Sequence, residues 1–227
     1  MTILLKDVTK EYQGYKAVDS INLEIPTGDF AFIAGRSGSG KTTLLSIIAG
    51  FTRPTSGTVT IDGTQIWSLG DRELSALRNT KIGFMFQGGY VISTLSVLDN
   101  VLLPTAFSKK LDFDPQSKAL KMLEKVGLSD KGKMFPNQLS GGQRRRISIA
   151  RALMNDPKIV LADEPTAELD VETEIEIMNM LKDIHREGGV TMLMVSHNYD
   201  LANYANRRFR MVSGRISSLE EQVLTRR

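Results

Sequence analysis

Gly35-Arg36-Ser37-Gly38-Ser39-Gly40-Lys41-Thr42 fits G-x-x-x-x-G-K-[ST] at every fixed position. Glycines at 35, 38 and 40 let backbone N–H groups turn inward around phosphate oxygens with no Cβ in the way. Lys41 supplies a point charge for β- and γ-phosphates, and the Thr42 hydroxyl is placed to ligate Mg²⁺. Upstream, Phe30-Ala31-Phe32-Ile33-Ala34 is apolar throughout, as a strand covered on both faces of a parallel sheet should be. Downstream, Lys41 to Ala49 predicts a helix closed by Gly50, whose positive N-terminal end faces the loop. Strand, glycine loop and helix form the context a nucleoside triphosphate site requires, with the binding segment running from Gly35 through Thr43.

Further out, Ile3–Val8 and Ile21–Ile25 alternate like half-buried antiparallel strands, and Thr58–Ile61 with Asp62-Gly63 gives a strand and a turn. Ile82–Phe86, Lys158–Ala162 and Val190–Val195 are continuous apolar runs that read as buried strands. From about Ser96 to Asn155 the pattern turns helical, with Asp114-Pro115 as N-cap and first-turn proline. A helix from Val171 to Glu187 and a C-terminal hairpin around Ser213-Gly214 complete the plan. The expected fold is α/β: a P-loop nucleoside-triphosphatase (NTPase) core with a mostly parallel sheet, flanking helices and an N-terminal antiparallel β layer. Residues 1–227 are expected to form one domain, with a helical subdomain inserted at approximately 88–156.

Three more strand ends carry polar groups. Asp163 and Glu164 close the strand at 159–162, where a carboxylate beside a phosphate loop can hold Mg²⁺ (Asp163) and its neighbour can polarise the attacking water (Glu164). Taken alone, two acids at a strand end are more often a helix cap or a surface pair; beside the glycine loop the functional reading is the stronger one. His197 ends the strand at 190–195 on the side where a doubly wound sheet gathers its ligand, and its imidazole can meet a γ-phosphate oxygen. His185, inside a charged helix, reads as a satisfied structural residue. Gln87 ends the strand at 82–86 and can reach metal or water through its amide. Tyr12 can stack on a base, or simply pack at the rim of the β layer.

A second anion-binding signature is Leu139-Ser140-Gly141-Gly142-Gln143: a serine cap and two glycines expose several N–H groups at a helix start. The first loop already wraps most of one triphosphate. The second therefore makes best sense as a lid, Ser140, Gly141, Gly142 and Gln143, contributed by a twofold-related copy in an isologous dimer.

Composition narrows the classes. At 41% hydrophobic and 24% charged, the chain is an ordinary globular protein. It has no cysteine, which excludes disulfides and thiolate chemistry, and only two histidines, which argues against a His-rich metal site. Net charge is +3, from 29 basic and 26 acidic residues, too even to suggest nucleic-acid binding. The basic runs Arg144–Arg146, Arg207-Arg208-Phe209-Arg210 and Arg226-Arg227 read as solvated faces, with anionic lipid as the sharper alternative. No apolar stretch approaches the roughly 20 residues of a spanning helix, and no signal peptide is evident. The expected location is the cytoplasmic face of the cell membrane, peripheral, held there by a partner and soluble when isolated.

Together these residues resemble the ATP-binding subunit of ABC transporters over nearly the whole chain. The family's ordered set matches Tyr12 (adenine-stacking loop), Gly35–Thr42 (Walker A), Gln87 (Q-loop), Leu139–Gln143 (signature), Ile159–Glu164 (Walker B and catalytic glutamate), Ala167–Asp170 (D-loop) and His197 (switch histidine). The resemblance implies an ATPase of the ABC fold with ATP and Mg²⁺ (Thr42, Gln87, Asp163), a catalytic set of Glu164, His197, Gln87 and Lys41, and a D-loop aspartate, Asp170. It also implies a nucleotide-sandwich homodimer and a separate transmembrane permease. Leu161–Thr166 and Asp99–Pro104 are similar to the lipoprotein-releasing, macrolide-exporter and cell-division group, which implies export or extrusion. A cell-division type that signals without moving a solute, and an ATPase acting on nucleic acid or ribosomes, are the alternatives. The chain departs from the family pattern at Gly88-Gly89-Tyr90, where related proteins contact the membrane subunit's coupling helix, at Arg144-Arg145, and at Glu168.

Overall fold

The computed structural model describes residues 1–108 and 111–218; the Arg226-Arg227 pair lies outside them. The chain begins with β1 (Ile3–Tyr12), β2 (Tyr15–Ile25), β3 (Phe30–Ala34) and helix α1 (Lys41–Ile48). Then come β4 (Ser56–Ile61), β5 (Thr64–Gln65), α2 (Asp71–Lys81) and β6 (Ile82–Met85). A helical stretch holds α3 (Val97–Leu102), α4 (Pro115–Lys125) and α5 (Gly141–Leu153). The chain returns through β7 (Ile159–Asp163), α6 (Val171–Gly188), β8 (Thr191–Ser196), β9 (Arg207–Val212) and β10 (Arg215–Ser218).

Two sheets result. The first is antiparallel in the order β2-β1-β4-β5, and the second runs β10-β9-β3-β8-β7-β6. In the second, β9, β3, β8, β7 and β6 pair in parallel and only β10 runs against its neighbour. Side chains of its central strands alternate between two buried clusters, as the pleat dictates. Phe30, Phe32, Val160, Ala162, Met192 and Met194 enter the cluster shared with α3 to α6. Ala31, Ile33, Leu161, Leu193 and Val195 enter the other, with Leu44, Leu45 and Ile48 of α1 and Ile3, Leu5 and Val59 of the antiparallel sheet. The continuous apolar runs follow from this, since both faces of each strand are covered.

Parallel pairing puts the carboxyl ends of β3, β8, β7 and β6 on one edge. Gly35, His197, Glu164 and Gln87 follow those ends, so one topological fact brings four sequence-distant groups together. The hydrophobic pattern does not reveal α2, because Leu74 is its one buried residue. That helix rests instead on Asp71 and Glu73 in its first turn and Arg78 and Lys81 in its last, which suit the helix dipole.

The arginine run 144–146 corrects the expectation of a solvated face. Arg145 is buried, and its guanidinium donates to the carbonyls of Ala167 (3.0 Å) and Phe86 (3.5 Å). Arg146 donates to the Val126 carbonyl and to Glu176, and Arg144 to the Leu139 carbonyl. A guanidinium's five donors suit it to bare loop carbonyls, so Arg145 serves packing while Arg144 and Arg146 stay partly exposed.

Candidate active site

The glycine loop is built around α1. Gly40 caps that helix at φ +105°, and a Cβ there would lie 2.0 Å from the Ala17 carbonyl oxygen. Only glycine fits, and its conformation turns the first helical N–H groups toward the loop. Lys41 is buried, and its Nζ donates to the carbonyls of Gly35 (2.7 Å) and Arg36 (3.2 Å). The same ammonium lies 3.5 Å from Glu164 Oε1. Its charge is thus held at the centre of the loop by two carbonyls and one carboxylate.

Asp163 ends β7 only 3% exposed, and Thr42 Oγ1 donates to its Oδ1 at 3.2 Å. Burial raises its pKa, a push that the Thr42 hydrogen bond and Lys41 only partly oppose. A hydroxyl, a dehydrated carboxylate and the amide of Gln87 are hard oxygen donors, the chemistry Mg²⁺ prefers. No group of three or more His, Cys, Asp or Glu that could hold a metal occurs among the described residues.

Glu164 takes the left-handed conformation, φ 44°, which a non-glycine residue adopts only when its surroundings hold it. Its N–H donates to the Val195 carbonyl at 3.0 Å. Its Oε2 lies 2.8 Å from His197 Nδ1, a hydrogen bond that needs the proton on that nitrogen. Acid, histidine and lysine are therefore linked through one carboxylate.

A cleft of ≈ 830 Å³ opens over this set. It is lined by Arg36, Ser37, Gly38, Gly40 and Lys41 to Thr43, by Glu164 and His197, and by Gln87 and Tyr12. Gly35 and Ser39 are buried behind the loop. Tyr15 and Tyr199 also line the cleft and were missed by the sequence reading. The signal for Tyr15 was available: Gln13 (φ 48°) and Gly14 (φ 83°) form a two-residue hairpin turn that pairs it with Tyr12. Its hydroxyl donates to the Gly38 carbonyl at 3.4 Å. His185 keeps the structural part expected of it, its Nδ1 3.1 Å from the Val190 carbonyl and its ring edge-on to Phe30.

The second signature does not line this cleft. Ser140 caps α5, its Oγ accepting from Gln143 N (3.2 Å) while Gln143 Oε1 accepts from Ser140 N (3.0 Å). Ser140 and Gly141 are exposed, and Gly142 and Gln143 partly so. Gly142 packs on α6, where a Cβ would come within 2.6 Å of Thr173 Cγ2. Asp170 also lies away from the cleft, capping α6 by accepting from Thr173 N (2.9 Å) and Thr173 Oγ1 (2.7 Å).

A second groove, ≈ 510 Å³, lies beside Phe86, the residue before Gln87. Phe51, Phe84, Phe86 and Phe107 line it beside Arg78 and Arg151. Phe51 stacks on Phe86 with centroids 5.9 Å apart, and Phe107 is 76% exposed.

Comparison with known proteins agrees with this architecture. The ABC transporter family model matches residues 18–167. The ABC transporter ATP-binding protein YknY of Bacillus subtilis (strain 168) is 43% identical over 218 residues, 94% of each chain. The lipoprotein-releasing system ATP-binding protein LolD of Geobacter metallireducens is 41% identical, covering 92% of this chain and 95% of its own. The dimeric, post-hydrolysis structure of the ATP-binding cassette MJ0796 with ADP and Pi superposes with TM-score 0.87 at 39% identity. That match covers 96% of this chain and 98% of the other.

Proposed function

The chain belongs to the ABC transporter family as an ATP-binding, ATP-hydrolysing subunit, and from that premise we propose how its residues divide the work. Two copies close head to tail around two ATP molecules. In each site one copy supplies Gly35–Thr43 and Glu164, and the other supplies Ser140–Gln143. The observation that carries this reading is the placement of Ser140 and Gly141: an exposed, capped helix N-terminus that lines no part of the cleft in its own chain. Such a group of N–H donors suits the γ-phosphate of a neighbouring copy.

Lys41 exchanges the carbonyls of Gly35 and Arg36 for phosphate oxygens when ATP enters, which also frees one oxygen of Glu164. Glu164 then orients and deprotonates the attacking water, and His197 holds that carboxylate in place. Tyr12, with Tyr15 beside it, offers a ring to the adenine. Thr42, Asp163 and Gln87 would hold Mg²⁺, which when bound neutralises charge on the phosphate oxygens. Asp170 stands at the interface between copies. Closure excludes water, and loss of the γ-phosphate favours opening, so work is done by a population shift between the two states.

No helix among the described residues is long and apolar enough to cross a membrane. The power stroke in this reading acts on a separate permease, whose coupling helix we place in the aromatic groove beside Phe86, on the cytoplasmic face. Residues 1–227 act as one domain, with the stretch at approximately 88–156 as the helical subdomain presented to that partner. The likeness to a lipoprotein-releasing protein favours export or extrusion of a lipoprotein, peptide or drug. Glu164→Gln tests the scheme: turnover falls at least about a hundredfold while ATP stays bound and a dimer accumulates on size exclusion. A variant that remains monomeric at saturating Mg·ATP would rule out the shared site.

A further inference from the structure

Glu174 lies in the first turns of α6, outside the cleft, yet it touches both loops that carry the reacting groups. Its Oε2 accepts from Thr166 Oγ1 at 2.9 Å, and its Oε1 accepts from Asn198 Nδ2 at 3.0 Å. Thr166 is buried two residues beyond Glu164, and Asn198 directly follows His197. The two loops leave β7 and β8, which are neighbours in the sheet. One carboxylate therefore joins the loop of the acid to the loop of the histidine, with both oxygens engaged.

The rest of the constellation leaves Asn198 no slack. Its Oδ1 accepts from Asp200 N at 3.1 Å, and its own N–H donates to Ser196 Oγ at 3.1 Å. Thr166 and Asn198 both present donors to residue 174, and a carboxylate accepts both; an amide that keeps its oxygen on Asn198 sets its NH₂ on Thr166 Oγ1, and the buried hydroxyl's proton then loses the acceptor that Glu174 gave it. Glu164 also holds a left-handed backbone that relaxes unless its flanking segment is fixed. Glu174 shares the first turn of α6 with Glu172, but a helix-dipole role alone does not account for the engagement of both its oxygens by two separate loops.

We propose that Glu174 is a positioning residue for hydrolysis: by bridging Thr166 and Asn198 it sets the distance between Glu164 and His197. The inference rests on the reading of those two residues as the hydrolytic pair, and the experiment separates the two claims. The purified full chain is assayed for steady-state ATP hydrolysis, for ATP affinity by calorimetry, and for thermal midpoint. Glu174→Gln is expected to lower kcat about tenfold, with ATP affinity within about twofold of wild type. Asn198→Asp, which sets two carboxylates face to face, should be no better. The double variant E174Q/N198D exchanges donor and acceptor at one bond. The introduced glutamine accepts from Thr166 and donates to the introduced aspartate, whose other oxygen still meets Asp200 N, and net charge is unchanged. It should recover kcat to within about threefold.

Wild-type kcat in E174Q beside an inactive E164Q would remove the bridge and leave the hydrolytic pair standing. Wild-type turnover in E164Q would remove both. A double variant that regains the thermal midpoint but not kcat would also overturn the proposal, since the bridge would then serve stability alone.

Discussion

Asp163 shows what a binding site costs before its ligand arrives. Its carboxyl is buried with one hydroxyl donor, and burial holds its pKa above the ordinary 3.8. A raised folded pKa means that the folded state favours the protonated form. The contribution to stability is therefore complete below 3.8 and is lost as pH rises through the raised value. Asp163→Asn should accordingly stabilise the ligand-free protein at pH 7 by on the order of 1 kcal/mol, a rise in thermal midpoint of about 2–4 °C for a chain of this size. The gain should vanish in melts near pH 3.5, and the same variant should lose the stabilisation Mg·ATP gives wild type. Equal midpoints at both pH values would contradict the burial argument. At this scale the sequence named Asp163 and Glu164 correctly as strand-end acids. It could not show that Glu164 sits in a left-handed backbone or that its two oxygens face Lys41 and His197. Those are properties of neighbours far away along the chain.

Helix α6 was legible as an element from its start at Asp170 to its glycine stop, because cap, amphipathic face and terminator agree. Its last turn carries His185, whose pKa is lowered by burial, with Asp29 opposing that shift weakly. The neutral ring is the form that folds, so the unfolded chain binds more protons below 6.5 and stability falls as pH drops from there. Replacing it by His185→Phe should flatten the dependence of the thermal midpoint between pH 7.5 and 5.5 relative to wild type. An unaltered slope would show that the imidazole does not titrate with folding. By contrast α2 was invisible, since one buried leucine gives no period to detect. The arginines of α5 misled for the opposite reason: a run of like charges reads as surface, and only the loops packed around Arg145 supply the carbonyls that bury it.

Across the whole molecule, the parallel sheet delivers the cleft and the groove to opposite ends of one short segment, because Gln87 lines the cleft and Phe86 the groove. If a permease docks in that groove as proposed, mechanical coupling between it and the nucleotide needs no long pathway. Phe107, 76% exposed at the groove, should be an anchor for the permease. Phe107→Ser is expected to weaken association with the membrane partner about thirtyfold, the scale of a lost aromatic contact, while ATP hydrolysis by the isolated chain stays within about twofold. Undiminished copurification with the permease would move the docking face elsewhere. The amino-acid sequence by itself determined the phosphate loop, the buried strands and the identity of the strand-end groups, because these depend on local chemistry and on periods of two and 3.6 residues. Only the tertiary structure decided which of those groups meet. Strand order sets that, bringing Gln87, Glu164 and His197 to one edge with Lys41 and leaving Ser140 and Asp170 outside, and strand order arises from long-range pairing that no local window contains.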